Sequence, residues 1–505
     1  MRGIIALCFA LLLVGTLFIS TQERPNSPSQ LFAPEQSRPV GGAGLRGAEE
    51  VPFPVGEVRS FDEIGVGAYP YGVVYDSTVN EIYVSDFYSN AVSIISGMNN
   101  TVIGNVHMPY GVGMLACDKS NGNVYLGDAV STVYVISGRT NQLIDSVNLG
   151  LSGLAPEPEA YNSETGAIYV ISSLSNTVTV LNGQSDQVTS VIPVGNNQYP
   201  NGAVFDPTSD ALYVSEEGSN SLTVIGGQTN QVTTTVANVP PGRGVAYVPI
   251  SNSIYVAANT GKPNATVVTI INASTNSITG SVPLAHAYWG AAYDPVNRDV
   301  YVTGRDSANV TIINTTSGRV VGFVPTQNGS QQESGPIGIA YDSRNQEMYV
   351  ALSGTNNVTV LPQFFSVAIQ EVGLPSDTPW SFSFNGTTEY PTVSAMSWVE
   401  PNGSYSLRIN PVPGYVSSFF LRSVTVSGQP QTIVVAFHKP GEGSSIGSEF
   451  QGLLGSDWYY LSAAGIVVGV AVYVFVVRRG SIRRRRTNSR VSSSALPRET
   501  CPRSW

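Results

Sequence analysis

Carboxylates, two arginines and a set of aromatic rings stand beside the turn signals of this chain. Glu157 and Glu159 share the stretch PEPEA (156–160), Glu216 and Glu217 adjoin, and Asp86, Asp128 and Asp306 close short apolar runs. Arg243 lies in PPGRG and Arg305 in TGRD, while Tyr71, Tyr88, Tyr110 and Trp289 supply ring faces. Paired carboxylates hold and move protons. Fixed carboxylates beside aromatic faces suit a polar, stacked ligand such as a sugar, or a cation. No Gly-x-Ser-x-Gly elbow, phosphate loop, dinucleotide fingerprint or His-Glu-x-x-His occurs. The three histidines (107, 286 and 438) lack ligand spacing. Neither a metal nor a cofactor is expected, and no residue is assigned a catalytic role.

What must position these groups is a repeat. NEIYVSDFYSNAVSII (80–95) returns as GNVYLGDAVSTVYVI, GAIYVISSLSNTVTVL, DALYVSEEGSNSLTVI and three further forms. Its tyrosine falls at 83, 125, 169, 213, 255, 301 and 349, so the spacing is 42 to 48 residues. That period, filled with alternating β-branched runs, fits four short strands per repeat and predicts propeller blades. One repeat reads as PNGAVFDP, ALYVSE, SLTVIG and QVTTTVAN, punctuated by Asp206-Pro207 and Gly226-Gly227. The Asp recurs at 76, 118, 294 and 342, with Asn at 162. One per repeat in a hairpin marks it as a turn former. Asn90, Asn176 and Asn220 suit left-handed turn positions. The repeat tyrosine is expected to pack between blades, its hydroxyl reaching a partner at the edge. The last repeat lacks a fourth strand, and VGEVRSFDEIGVG (55–67) is expected to supply it and close the ring.

The Tyr-Val-x-x, Ser-Asn and Val-Thr-Val-Ile steps resemble the YVTN family of β-propellers, found in archaeal and bacterial surface-layer and periplasmic proteins. The resemblance covers roughly 55–362 and implies a fold more than an activity. The fourth position departs from Asn in every copy: Asp86, Asp128, Ser172, Glu216, Ala258, Gly304 and Leu352.

Beyond the repeats the character changes. Residues 364–438 carry short alternating strands with Asn-Gly turns at 385–386 and 402–403, which predicts a small Ig-like β-sandwich. Gly-Leu-Pro, Trp380 and Pro-Gly-Tyr resemble the membrane-proximal sandwich modules of thermopsin-like archaeal surface proteins, a resemblance that implies a spacer. Residues 1–20 read as a signal peptide or signal anchor and 21–50 as a disordered lead-in. The propeller occupies 51–363 and a linker 439–457. The twenty uncharged residues 458–477 are long enough to cross a bilayer as a helix. Nine of the last 28 residues are Arg, which places the tail 478–505 in the cytoplasm. Gly465 and Gly469 form a G-x-x-x-G face for weak homodimerisation.

The net charge of −10, with its positive part concentrated in that tail, excludes a nucleic-acid-binding body. Cys8, Cys117 and Cys501 fall in regions that should not meet, so no disulfide within the chain is expected. Sequons at Asn99, Asn264, Asn272, Asn309, Asn314, Asn328, Asn357, Asn385 and Asn402 lie in the expected exterior. A meander puts the loops entering each first strand and those between second and third strands on one face. That face would carry Tyr71, Asp86, Tyr88, Tyr110, Asp128, Glu157, Glu159, Glu216, Glu217, Arg243, Trp289, Arg305 and Asp306. The function expected is a membrane-anchored surface binding, adhesion or envelope protein whose partner is an envelope glycan or protein. The alternatives are an extracellular lactonase- or lyase-like enzyme using these carboxylates, and a structural surface-layer subunit.

Overall fold

The computed structural model describes residues 61–150, 155–196, 198–258, 266–284, 289–326 and 335–441. The expected signal segment, lead-in, membrane span with Gly465 and Gly469, and basic tail lie outside the described residues. So do almost all of the linker, Cys8, Cys501, Asn264 and Asn328. Among the described residues no helix is long and apolar enough to cross a membrane.

Strand β1 (Asp62–Gly65) precedes sheet I, an antiparallel meander of β2 (Pro70–Asp76), β3 (Glu81–Asp86), β4 (Ala91–Ser96) and β5 (Thr101–His107). Five further four-stranded meanders follow: sheets II (β6 to β9, 112–148), III (β10 to β13, 156–193), IV (β14 to β17, 200–237), V (β18 to β21, 242–284) and VI (β22 to β25, 291–325). Sheet VII takes β26 (Pro336–Asp342), β27 (Glu347–Leu352) and β28 (Asn357–Leu361) and is completed by β1 as its outer strand. The register runs from Asp62 opposite Val360 to Gly65 opposite Asn357. First strands touch in the order I to VII, and VII touches I again. The sheets therefore close a ring, the arrangement of a β-propeller.

Burial explains the composition of each strand. The second strands, such as AIYVIS and ALYVSE, are buried along their whole length because a neighbouring sheet covers each face. The outer strands, such as TVIGNVH, are mostly exposed and polar-rich. The seven repeat tyrosines are all buried. Several send their hydroxyl into the next sheet: Tyr125 to Gly183 O and Asp186, Tyr169 to Gly227 O, Tyr213 to Ala273 O and Asn276. Tyr349 of sheet VII reaches Asn100 of sheet I, so the same contact also spans the closure.

The repeated Asp acts as a turn former. Asp76, Asp118, Asp206, Asp294 and Asp342 are buried, and each accepts the backbone N–H two residues on. Asn162 does the same for Glu164. Four residues after each, Asn80, Gly122, Gly166, Asp210, Arg298 and Gln346 all take positive φ. Asn90 and Asn176 are left-handed as expected, whereas Asn220 is not.

The C-terminal module forms two facing sheets. One orders β32 (Ala395–Pro401), β29 (Phe364–Val372), β36 (Gln431–His438) and β34 (Val416–Ser417). The other orders β31 (Thr387–Glu389), β30 (Phe382–Phe384), β33 (Gly403–Ile409) and β35 (Leu421–Val426). Its first and last long strands, β29 and β36, pair in parallel. Trp380, Phe382, Phe384, Trp398 and Tyr405 fill the space between the sheets. Phe364 and Val399 are buried with residues of sheets VI and VII, and Asn297 donates to Phe364 O at 3.0 Å. The sandwich thus packs directly on the ring.

Candidate functional site at the channel mouth

Each first strand lines the central channel, and most enter it through a β-bulge. Register shifts fall between Pro70 and Val73, Val112 and Leu115, Pro158 and Ala160, Pro200 and Gly202, Gly242 and Gly244, and Pro336 and Ile339. A bulge leaves residues unpaired and re-aims their side chains. Tyr71, Glu159 and Arg243 occupy such positions. Glycine accompanies the bulge because the strands crowd together there. A Cβ at Gly202 would lie 1.8 Å from Arg243 O, and one at Gly338 2.4 Å from Tyr71 O. The channel is narrow because only glycine permits that approach.

Within it, side chains from five sheets converge. Arg243 of sheet V pairs through Nε with Glu217 Oε1 of sheet IV at 2.6 Å, and its Nη2 lies 3.4 Å from Oε2. Its Nη1 donates to the Tyr71 hydroxyl of sheet I at 3.3 Å. Its guanidinium carbon sits 4.1 Å from the centre of the Trp289 ring, which also meets Tyr71 edge-on at 6.3 Å. Arg305 lies over the same indole at 4.8 Å and donates from Nη2 to the Tyr69 hydroxyl at 3.3 Å. From sheet III, Glu157 reaches over sheet II: a Cβ on Gly113 would stand 3.5 Å from its Oε1.

The electrostatics follow from this crowding. Burial lifts the Glu157 carboxyl to about 7, against the pull of Arg243 and with a push from Glu217. Burial also raises Glu159 well above the usual carboxylate range, and the neighbouring Glu157 charge adds to it. Burial thus favours the protonated form of both carboxyls, and a protonated carboxyl donates as well as accepts hydrogen bonds. Burial raises the Tyr71 hydroxyl too, keeping it a donor.

Outside this cluster the rim is aromatic. Tyr69 packs on Tyr88 with centroids 4.7 Å apart, and Phe87 meets both. Tyr88 is 60% exposed. Tyr69 is held at φ 57°, its N–H accepted by Asn356 Oδ1 at 2.9 Å. Left-handed backbone is uncommon for a bulky residue and marks a position fixed by its surroundings. Tyr69 takes part in the site, two residues before the Tyr71 that the sequence singled out from the same YPYG loop. The left-handed Tyr-Pro step, repeated at Tyr199-Pro200, is its only sequence signal.

Other expected members lie elsewhere. Asp86, Asp128 and Glu216 end equivalent second strands, are buried, and turn into their own hairpins. Asp86 accepts from Ser93 Oγ at 2.6 Å, and burial lifts it to about 6. Asp128 Oδ1 accepts the N–H groups of Val130, Ser131 and Thr132. Glu216 accepts from the hydroxyls of Ser219, Ser221 and Thr223. Tyr110 and Asp306 are exposed without contact to the cluster among the described residues. Asn99, Asn385 and Asn402 are exposed, whereas Asn272, Asn309, Asn314 and Asn357 are partly buried. Among the described residues no three His, Cys, Asp or Glu side chains are placed to share a metal ion.

No family model and no curated protein matches the chain. Solved structures do. Kuenenia stuttgartiensis hydrazine synthase aligns at TM-score 0.51 and 18% identity, covering 58% of this chain and 96% of that one. A streptogramin B lyase structure aligns at TM-score 0.51 and 15% identity, covering 60% and 97%. A chain of the mitotic checkpoint complex aligns at TM-score 0.50 and 13% identity, covering 67% and 99%. These neighbours include enzymes and interaction scaffolds, and at such identities the likeness is one of fold: this chain is a β-propeller.

Proposed function

We propose that the chain is a membrane-anchored surface protein. A seven-bladed propeller of the YVTN-repeat kind carries a saccharide-binding site at one mouth of its channel. The observation that carries this reading is the convergence of Tyr71, Glu157, Glu159, Glu217, Arg243 and Trp289, drawn from five sheets into one cluster. Ring faces for stacking, a bidentate cation and a carboxyl pair holding a proton are the groups that recognise a hydroxyl-rich ring. The apolar segment 458–477 with arginines behind it supports the anchor, and the sandwich supports the spacer. Adhesion and envelope assembly are the roles such a face would serve.

The test is a glycan array probed with the full chain in detergent, followed by calorimetry on the best binder. Trp289→Ala should abolish binding while the melting temperature shows a folded ring. No binding across the array, or binding that Trp289→Ala leaves intact, would sink the reading. The raised Glu157 and Glu159 favour one second reading, an extracellular enzyme using the pair as general acid and base. Product detected by mass spectrometry after incubation with the bound glycan, and lost in Glu159→Gln, would select it.

A further inference from the structure

We propose that Arg305, with the Tyr69–Tyr88 platform, forms a subsite for the carboxylate of an acidic sugar, a uronate unit. This rests on the channel mouth being a saccharide site and names the class of saccharide.

The two arginines of the mouth differ in how far they are already committed. Arg243 is held by Glu217 at 2.6 Å and by Tyr71, so its charge is neutralised within the site. Arg305 is only partly buried, and among the described residues no carboxylate lies within ion-pair distance of it. Of its five N–H donors, one finds the Tyr69 hydroxyl at 3.3 Å. The rest have no acceptor among the described residues. Both guanidinium groups also press on the same Trp289 ring, at 4.1 and 4.8 Å. Trp289 Nε1 is itself buried without a hydrogen-bond acceptor. A planar carboxylate matches the guanidinium fork and is its commonest bidentate partner.

The surroundings decide what carries the carboxylate. Tyr69 and Tyr88 present ring faces beside Arg305, with Tyr88 largely open to solvent. A sugar ring stacks on such a face. Further in stand Glu157 and Glu159, pushed by burial toward their protonated forms, and Glu217, paired with Arg243, so the interior offers a second anionic group no uncommitted cation among the described residues. They pair well with neutral hydroxyls. The site therefore grades from an anion-reading rim to a hydroxyl-reading interior, matching a sugar acid with its carboxylate outward.

The experiment compares a trisaccharide with one terminal uronate, glucuronosyl-xylobiose, with its carboxyl-reduced, neutral counterpart by calorimetry on the full chain in detergent, at fixed ionic strength. The acidic trimer should bind about tenfold or more tightly, since charge-assisted hydrogen bonds are at stake. Arg305→Gln should remove that preference and bring the two trimers to equal affinity. Arg305 is partly exposed, so this variant should melt with the wild type. Equal binding of the two trimers by the wild type would overturn the carboxylate subsite and leave the saccharide site standing. A preference that survives in Arg305→Gln would overturn it equally. If neither trimer binds and a poly-aspartate peptide does, both the subsite and the saccharide reading fall.

Discussion

Replacing Glu157 by Gln removes an ionisable group from the channel at nearly constant volume. Burial, only partly offset by Arg243, lifts this carboxyl from 4.5 to about 7 in the folded protein. Between those values the folded chain keeps a proton that the unfolded chain has released. The wild type must therefore lose stability as pH rises across that window, and the full cost is present above it. One pKa unit corresponds to about 1.4 kcal/mol, so the loss through this group is at most about 3.5 kcal/mol. Because the side chain is only partly buried and Glu159 readjusts when its neighbour is neutralised, roughly 3.5 kcal/mol is an upper figure. Glu157→Gln has no such loss. The two proteins should melt together near pH 4.5, and the variant should melt a few degrees higher at pH 8. Thermal melts of the full chain in detergent from pH 4.5 to 8.5, at constant ionic strength, read this directly. The difference between the two chains is the informative quantity. Asp86 at about 6 and Asp299 at about 8, both raised by burial, tilt the two curves alike. A variant that tracks the wild type at every pH, or melts below it at pH 8, refutes the reasoning.

Three further outcomes are expected. Tyr213→Phe removes hydroxyl contacts to Ala273 O at 2.9 Å and Asn276 at 2.8 Å. It should cost about 1–3 kcal/mol in denaturant melts, more than Tyr169→Phe, whose contact to Gly227 O is 3.3 Å. Asp128→Ala leaves three backbone N–H groups without their acceptor. It should destabilise by about 1–3 kcal/mol without changing glycan affinity in calorimetry. Glycopeptide mapping of the chain from its native membrane should find Asn99, Asn385 and Asn402 modified. Asn314 should be bare, since its Nδ2 donates to Asp299 at 2.9 Å.

The ring of sheets is written in the sequence because the tyrosine period forces it. A buried second strand must be apolar throughout, and its Tyr must recur wherever a sheet meets the next. The turn role of Asp76 and its equivalents was equally legible, since one short side chain per hairpin has one job. The site was harder to read. Asp86, Asp128 and Glu216 look like loop carboxylates, because sequence places them at a strand end without fixing which way the side chain turns. Their hairpins contain hydroxyl and N–H donors that draw them inward. Glu157, Glu159 and Arg243 reach the channel through bulges and crowding at the first strands, and that geometry leaves little trace beyond Pro and Gly nearby. Tyr69 could not be singled out within its YPYG loop because its part depends on Arg305, which comes from a different sheet far along the chain.

Strand β1 has a consequence for the order of events during synthesis. It leaves the ribosome before any sheet exists, yet its partner in sheet VII follows roughly 300 residues later. Through that interval sheets I to VI can form in turn while β1 waits unpaired. The final pairing then acts as a latch. Once Asp62–Gly65 has seated, no sheet can peel away from one end, because the chain no longer has a free edge at which to begin. Cleavage between Val66 and Ala68, on the link from β1 to β2, before closure should leave an open array, whereas after closure β1 stays held by sheet VII.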